Sequence, residues 1–137
     1  MTSLAGQCRC GLVHYENCGK IVTMVNCHCN LCRAMNGSAF SSYVVVMRGN
    51  LSVTGEENLR AYPVTQRSTK SFCGVCGTPL FNLNPSLYPG FAMLYFGTLA
   101  DNAALLPGIN TYCDDKLAWV DSIAQASSFG QGAPARS

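Results

Sequence analysis

CHCNLC, residues 27–32, places three cysteines within six residues and a histidine between the first two. Thiolates are soft metal ligands, and three of them make an incomplete tetrahedron. Two further groups share the property. FCGVCGT (72–78) carries Cys73 and Cys76 on a C-x-x-C turn followed by glycine, the pattern of a zinc knuckle. Such a turn brings two sulfurs to one ion at about 2.3 Å each, and Gly74 and Gly77 relieve the backbone where it bends. GQCRCG carries Cys8 and Cys10. On an extended segment, side chains two residues apart share a side, so both sulfurs reach one ion while Arg9 points away.

Each signal has a plainer reading. C-x-x-C also serves redox chemistry, but no βαβ pattern of the thioredoxin kind surrounds residues 73–76. Cys8 and Cys10 could be two core cysteines. Taken together, seven clustered thiolates exceed one tetrahedral ion, so two sites is the economical count, one of four ligands and one of three. Cys8 and Cys10 are natural partners for Cys73 and Cys76 in a closed structural site, which leaves Cys27, Cys29 and Cys32 as the three. The other pairing completes CHCNLC with one more cysteine, and Cys18 and Cys113 are the candidates. His28 is a poor fourth ligand, since alternation turns it away from Cys27 and Cys29. The expectation is an open fourth position. There a thiol would lose its proton and a water would be acidified, which suits making or breaking a carbon–sulfur bond.

The elements that must hold these groups are short. The chain has 137 residues, 48% hydrophobic and 12% charged, enough for one folded domain with a modest core. Apolar runs are β-branched or aromatic: LVHYEN (12–17), IVTMV (21–25), SSYVVVM (41–47), LSVTG (51–55), NLRAYPV (58–64), STKSF (68–72), PLFNL (79–83) and FAMLYFGTL (91–99). RGN (48–50) reads as a hairpin connection between two of them. Pro63 marks an edge strand or a bend. Helical signal is confined to a turn through CNLCRAMNG and another through NAALL, which Asp101 could cap. The expected fold is all-β and antiparallel, with cysteines at strand ends. Residues 1–124 are expected to form a single domain and 125–137, rich in Gly, Ala and Ser, a flexible tail.

Composition also excludes. The formal charge of +2, without a Lys/Arg run, argues against a nucleic-acid surface. Two divalent ions against seven thiolates would lower that charge to −1. No apolar run is long enough to span a membrane, and the first ten residues lack the apolar segment of a secretory signal. Nine cysteines, grouped rather than evenly spread, suit metal binding in a reducing compartment better than a disulfide framework. The expected location is cytoplasmic.

In order and spacing, GQCRCG, NCHCNLCRAMNGSAF and SFCGVCGTPLF resemble the glutathione-dependent formaldehyde-activating enzyme family, which also includes centromere protein V. The match runs from about Gly6 to Trp119. The resemblance implies a tent-like arrangement of antiparallel sheets, similar to the metal-bearing folds of methionine sulfoxide reductase B and the zinc-binding Rab nucleotide-exchange factor. It implies two zinc ions per chain, a structural one on Cys8, Cys10, Cys73 and Cys76 and a catalytic one on Cys27, Cys29 and Cys32. The implied activity is carbon–sulfur lyase chemistry on a thiol adduct such as S-hydroxymethylglutathione. Many members carry a histidine in the last strand where this chain has Asn110, so a different substrate is a further expectation. Arg33, directly after the third ligand, reads as a solvated arginine or as an anchor for a substrate carboxylate.

Two other functions compete. A non-catalytic module of the centromere protein V type would have both metals structural and a cysteine completing the second site. A redox sensor would use Cys27, Cys29 and Cys32 directly, but no resolving partner stands beside them. His14 reads as an ordinary strand histidine, FAMLYF as a core strand, and Asp114 with Asp115 as a solvated turn.

Overall fold

Residues 3–134 are described by a computed structural model, and in them the β-branched runs form two sheets. Strands β1 (Leu4–Gln7) and β2 (His14–Asn17) pair antiparallel. After β3 (Ile21–Cys27), helix α1 (Asn30–Asn36) and β4 (Ser41–Met47), the chain returns to the first sheet as β5 (Leu51–Thr54). The remaining strands are β6 (Leu59–Pro63), β7 (Thr69–Cys73), β8 (Pro79–Leu83), β9 (Phe91–Tyr95) and β10 (Ile109–Thr111). The three-stranded sheet has the order β1-β2-β5, and the seven-stranded sheet runs β10-β3-β4-β9-β8-β7-β6. The all-β reading therefore holds, and Pro63 sits on an edge strand where its missing N–H costs no ladder bond.

Three expectations need correction. Arg48–Asn50 is not a hairpin turn. It forms a 3-10 turn, and β5 leaves β4 to pair with β2 in the other sheet. A two-sided β4 explains this: its places are taken by β3 on one side and β9 on the other. Second, the sheets are not wholly antiparallel, because β10 runs parallel to β3, with Thr111 opposite Cys27. Third, Cys8 and Cys10 do not lie on an extended segment. They occupy the turn after β1, closed by Gly11 N–H donating to Cys8 O at 3.1 Å with Gly11 at φ 81°.

Alternation along β4 divides the molecule. Val44 and Val46 are fully buried in the core between the sheets, against Val13 and Tyr15 from β2 and its approach and against Ala92 and Leu94 from β9. Each such valine contributes about 1.5–3 kcal/mol. Tyr43 and Val45 face the other way and line a cavity. Cys8 and Cys73 belong to the intersheet core, whereas Cys10 and Cys76 are exposed, so one sulfur cluster is rooted in the hydrophobic interior on one side and faces solvent on the other. Elements continue to a 3-10 segment at Ala118–Gln125, and residues 126–134 are exposed outside helix and strand. The last three residues of the expected tail, 135–137, and the first two of the expected domain, 1–2, lie outside the described residues.

Candidate metal centres and the cavity beside one of them

Why the knuckle forms is visible in its backbone. Cys73, the last residue of β7, accepts at its carbonyl from Gly77 N–H (2.8 Å) and donates its own N–H to Thr78 O (2.9 Å). Gly77, at φ 81°, turns the chain back. Gly74 serves differently from expectation: its φ is ordinary, but a Cβ there would meet Arg60 and the Asn58 carbonyl. The N–H groups of Val75 and Cys76 point at Cys73 Sγ, at 3.4 and 3.5 Å, while Val13 N–H donates to Cys8 Sγ at 3.4 Å. These donors favour sulfur as thiolate. Thr78 ties the two turns together, accepting from Arg9 N–H (3.1 Å) and lying 3.2 Å from Cys76 Sγ. That hydroxyl is the main reason the Cys76 thiol is pulled down to about 5.

The second group begins where β3 ends. Cys27 closes the strand, and Cys29 becomes the N-cap of α1, its sulfur accepting from Cys32 N–H at 3.2 Å. A thiolate at this position satisfies a helix donor that serine or aspartate would otherwise meet. Gly37, at φ 71°, ends the helix by donating to Arg33 O at 2.8 Å. CNLC is thus one helical turn that brings Cys29 and Cys32 together.

Both groups fit a metal ion. All four ligand atoms of Cys8, Cys10, Cys73 and Cys76 lie within 4.8 Å of one another, as do the three of Cys27, Cys29 and Cys32. On a tetrahedral ion with sulfurs at about 2.3 Å, neighbouring sulfurs stand about 3.8 Å apart. The separations are 3.5 Å for Cys8–Cys10, 3.8 Å for Cys10–Cys73 and 3.5 Å for Cys27–Cys29. Among the described residues no fourth Cys, His, Asp or Glu atom joins the triad. Cys18 and Cys113 are exposed thiols outside both groups. Within the triad, the Cys32 thiol beside Cys27 draws Cys27 down to about 5, and the same contact pushes Cys32 up.

A buried relay of polar side chains ends on the triad. Tyr95 Oη donates to Asn82 Oδ1 (3.0 Å), Asn82 Nδ2 donates to Tyr43 Oη (3.1 Å), and Tyr43 Oη donates to Cys32 Sγ (3.4 Å). Every donor in the chain points toward sulfur. Sequence reasoning missed Tyr43 and Asn82. The available signal was a polar residue inside each apolar run, since a buried polar group in a strand needs a partner.

The triad opens on a cavity of about 600 Å³ over the outer face of the seven-stranded sheet. Val25, Val45 and Met93 supply its floor, Leu31 and Met35 come from α1, and Leu87, Tyr88 and Tyr112 stand around it. The Tyr88 hydroxyl pushes Tyr112 above its ordinary range. Met93, in a run read as a core strand, is thus a cavity-lining residue.

Other candidates fall elsewhere. His28 is buried on the side away from the cavity, stacked on Phe40 at 5.1 Å, with Nε2 3.4 Å from Asn110 Oδ1. Asn110 also accepts from Asn26 Nδ2 at 3.2 Å and does not line the cavity, so this departure from the family pattern sits behind the triad. Arg33 is half-buried and does not line the cavity. It clamps α1 to the turn after β10, donating to the carbonyls of His28 and Asp115 and to Asn30 Oδ1. His14 is an exposed residue of β2.

The arrangement agrees with comparisons to known proteins. Residues 3–115 match the family described as glutathione-dependent formaldehyde-activating enzyme, and the chain belongs to that family. A Schizosaccharomyces pombe protein named an uncharacterized lyase is similar, at 28% identity over 81 residues, 59% of this chain. The matched region spans 58% of that relative's length. A crystal structure of a Rhodobacter sphaeroides protein shares the fold with a TM-score of 0.57 and 23% identity, covering 75% of this chain and 97% of the other. No helix among the described residues is long and apolar enough to cross a membrane.

Proposed function

We propose that the protein is a zinc-dependent carbon–sulfur lyase acting on a thiol adduct, of glutathione or a related small molecule. The observation that carries this reading is the triad of Cys27, Cys29 and Cys32, without a fourth protein ligand among the described residues and facing a cavity of about 600 Å³. Under the same reading, Cys8, Cys10, Cys73 and Cys76 hold a second, structural zinc, residues 1–124 form the metal-bearing domain, residues 125–137 form a tail, and the protein works in the cytoplasm.

A zinc ion on three thiolates supplies Lewis acidity, which favours the deprotonated form of a thiol. The chain does the rest. Cys27, Cys29 and Cys32 provide the soft ligand set. Tyr43, held by Asn82 and Tyr95, fixes the direction from which Cys32 is hydrogen-bonded. The apolar walls keep bulk water from the reacting carbon. Tyr112, a phenol that lines the cavity and is protonated at neutral pH, offers a donor to the adduct oxygen. In the cleavage direction the carbon–sulfur bond breaks with its electron pair passing to sulfur. The hydroxyl on the same carbon loses its proton and becomes the carbonyl, so no oxidant or reductant is needed.

The test is turnover of S-(1-hydroxyalkyl) thiol adducts by the zinc-loaded protein, followed as thiol release above the spontaneous rate. Cys29→Ser should lower the rate about 100-fold or more while circular dichroism stays unchanged. A Cys29→Ser protein that keeps the wild-type rate would sink the reading.

A further inference from the structure

We propose that, of the two substrates the lyase reading above leaves open and on which this proposal rests, the favoured one is the related small molecule, a thiol with a bulky, uncharged, apolar body, and that glutathione fits this cavity less well. The triad lies at one end of a space whose floor is Val25, Val45 and Met93 and whose sides include Met35 and Leu87. Among the described residues only Arg67 and Asp115 bring charge to the lining, one of each sign. Glutathione at neutral pH carries two carboxylates and an ammonium. One arginine can meet one carboxylate; the remaining polar lining, Asn30, Asn84, Thr65 and Ser68 among it, is uncharged, so the second carboxylate would find hydrogen bonds but no counter-charge. A charge desolvated without a partner opposes binding strongly. A one-carbon hydroxymethyl group, in turn, would leave most of the apolar wall uncovered.

The mouth of the cavity points the same way. Tyr112 is the one non-glycine described residue in the left-handed region, at φ 55°. That conformation opposes folding for a bulky side chain and marks a site where position matters more than backbone comfort. It sets Tyr112 against Tyr88 on the wall beside the triad, close enough to feel the charges of Cys27 and Cys29. Two aromatic faces at this place suit a planar or aliphatic body next to the sulfur.

The experiment is calorimetric titration of the zinc-loaded full chain with phenylmethanethiol, glutathione, 2-mercaptoethanol, phenylmethanol and straight-chain thiols from ethanethiol to pentanethiol. Phenylmethanethiol should bind at least about tenfold tighter than glutathione, and affinity should rise about fourfold per added methylene. Leu87→Ser, at an exposed position that does not threaten folding, and Met93→Gln should both flatten that rise. Glutathione binding as tightly as phenylmethanethiol, or a flat alkyl series in the wild type, overturns the proposal. Phenylmethanol binding as well as phenylmethanethiol, both ahead of glutathione, would instead keep the apolar preference and remove the carbon–sulfur reading beneath it.

Discussion

Tyr112 shows how much of this site is decided by single residues that carry no motif. Its φ of 55° costs about 1–2 kcal/mol relative to an ordinary conformation, and asparagine tolerates the region better than tyrosine. Tyr112→Asn should therefore raise stability by about 0.5–1 kcal/mol in urea unfolding while weakening phenylmethanethiol binding. A variant that lost stability would show that the tyrosine is held by packing rather than against strain. The cysteines were legible in the sequence because spacing alone declares them: C-x-C, C-H-C-x-x-C and C-x-x-C-G need no tertiary knowledge. Tyr43, Asn82 and Tyr112 were not, since β4, β8 and the turn after β10 bring them toward the triad from distant parts of the chain and the local sequence of each looks like ordinary β structure. Arg33 was misread for the same reason, its carbonyl partner at Asp115 lying far along the chain.

At the scale of elements, most strands follow from alternation, and the failures are about partners. RGN has the composition of a hairpin turn, but the pairing of β4 was already filled on both sides, so the chain crosses to the smaller sheet. Nothing in INT announces a strand either. β10 exists because β3 leaves an edge beside Cys27 and three residues suffice to cover it. The crossing to β5 ends at Gly55, φ 83°, where an added Cβ would stand 1.8 Å from the Leu12 carbonyl oxygen. That oxygen belongs to the backbone and cannot swing aside. Gly55→Ala should cost at least about 2–3 kcal/mol, read as a lowered urea midpoint with an unchanged slope. A neutral effect would mean that the smaller sheet floats on the larger one more loosely than its packing implies.

For the molecule as a whole, the two sulfur clusters sit in opposite settings. Cys8 and Cys73 are buried at 1% and 0% exposure inside the intersheet core, with Cys10 and Cys76 exposed beside them, whereas all three triad residues border a cavity. A metal bound in the core group would be folding energy, because the unfolded chain has no such site. Cys73→Ser should lower the melting temperature by more than about 10 °C, and Cys29→Ser by only a few degrees. A strong chelator should strip the triad first and unfold the protein only when the second ion leaves, measured as metal release alongside circular dichroism. Equal losses from the two variants would make both sites structural and favour a non-catalytic module. The grouping of seven cysteines into four and three was legible in their spacing, and the fold brings each group together, one where the turn after β1 meets the end of β7, the other where β3 gives way to α1.

The chain order of these ligands has a consequence for biosynthesis. Cys32 completes the triad long before Cys76 completes the buried group, and Tyr112 comes later still. A nascent chain leaving the ribosome therefore presents the triad sulfurs, and Cys8 and Cys10 before them, while Cys73 and Cys76 are still to be made. Thiolates in that interval are open to peroxide as well as to zinc. The yield of working protein then depends on which of the two arrives first during translation, and cells short of zinc should accumulate full-length chains oxidised at the cysteines made first, residues 8–32.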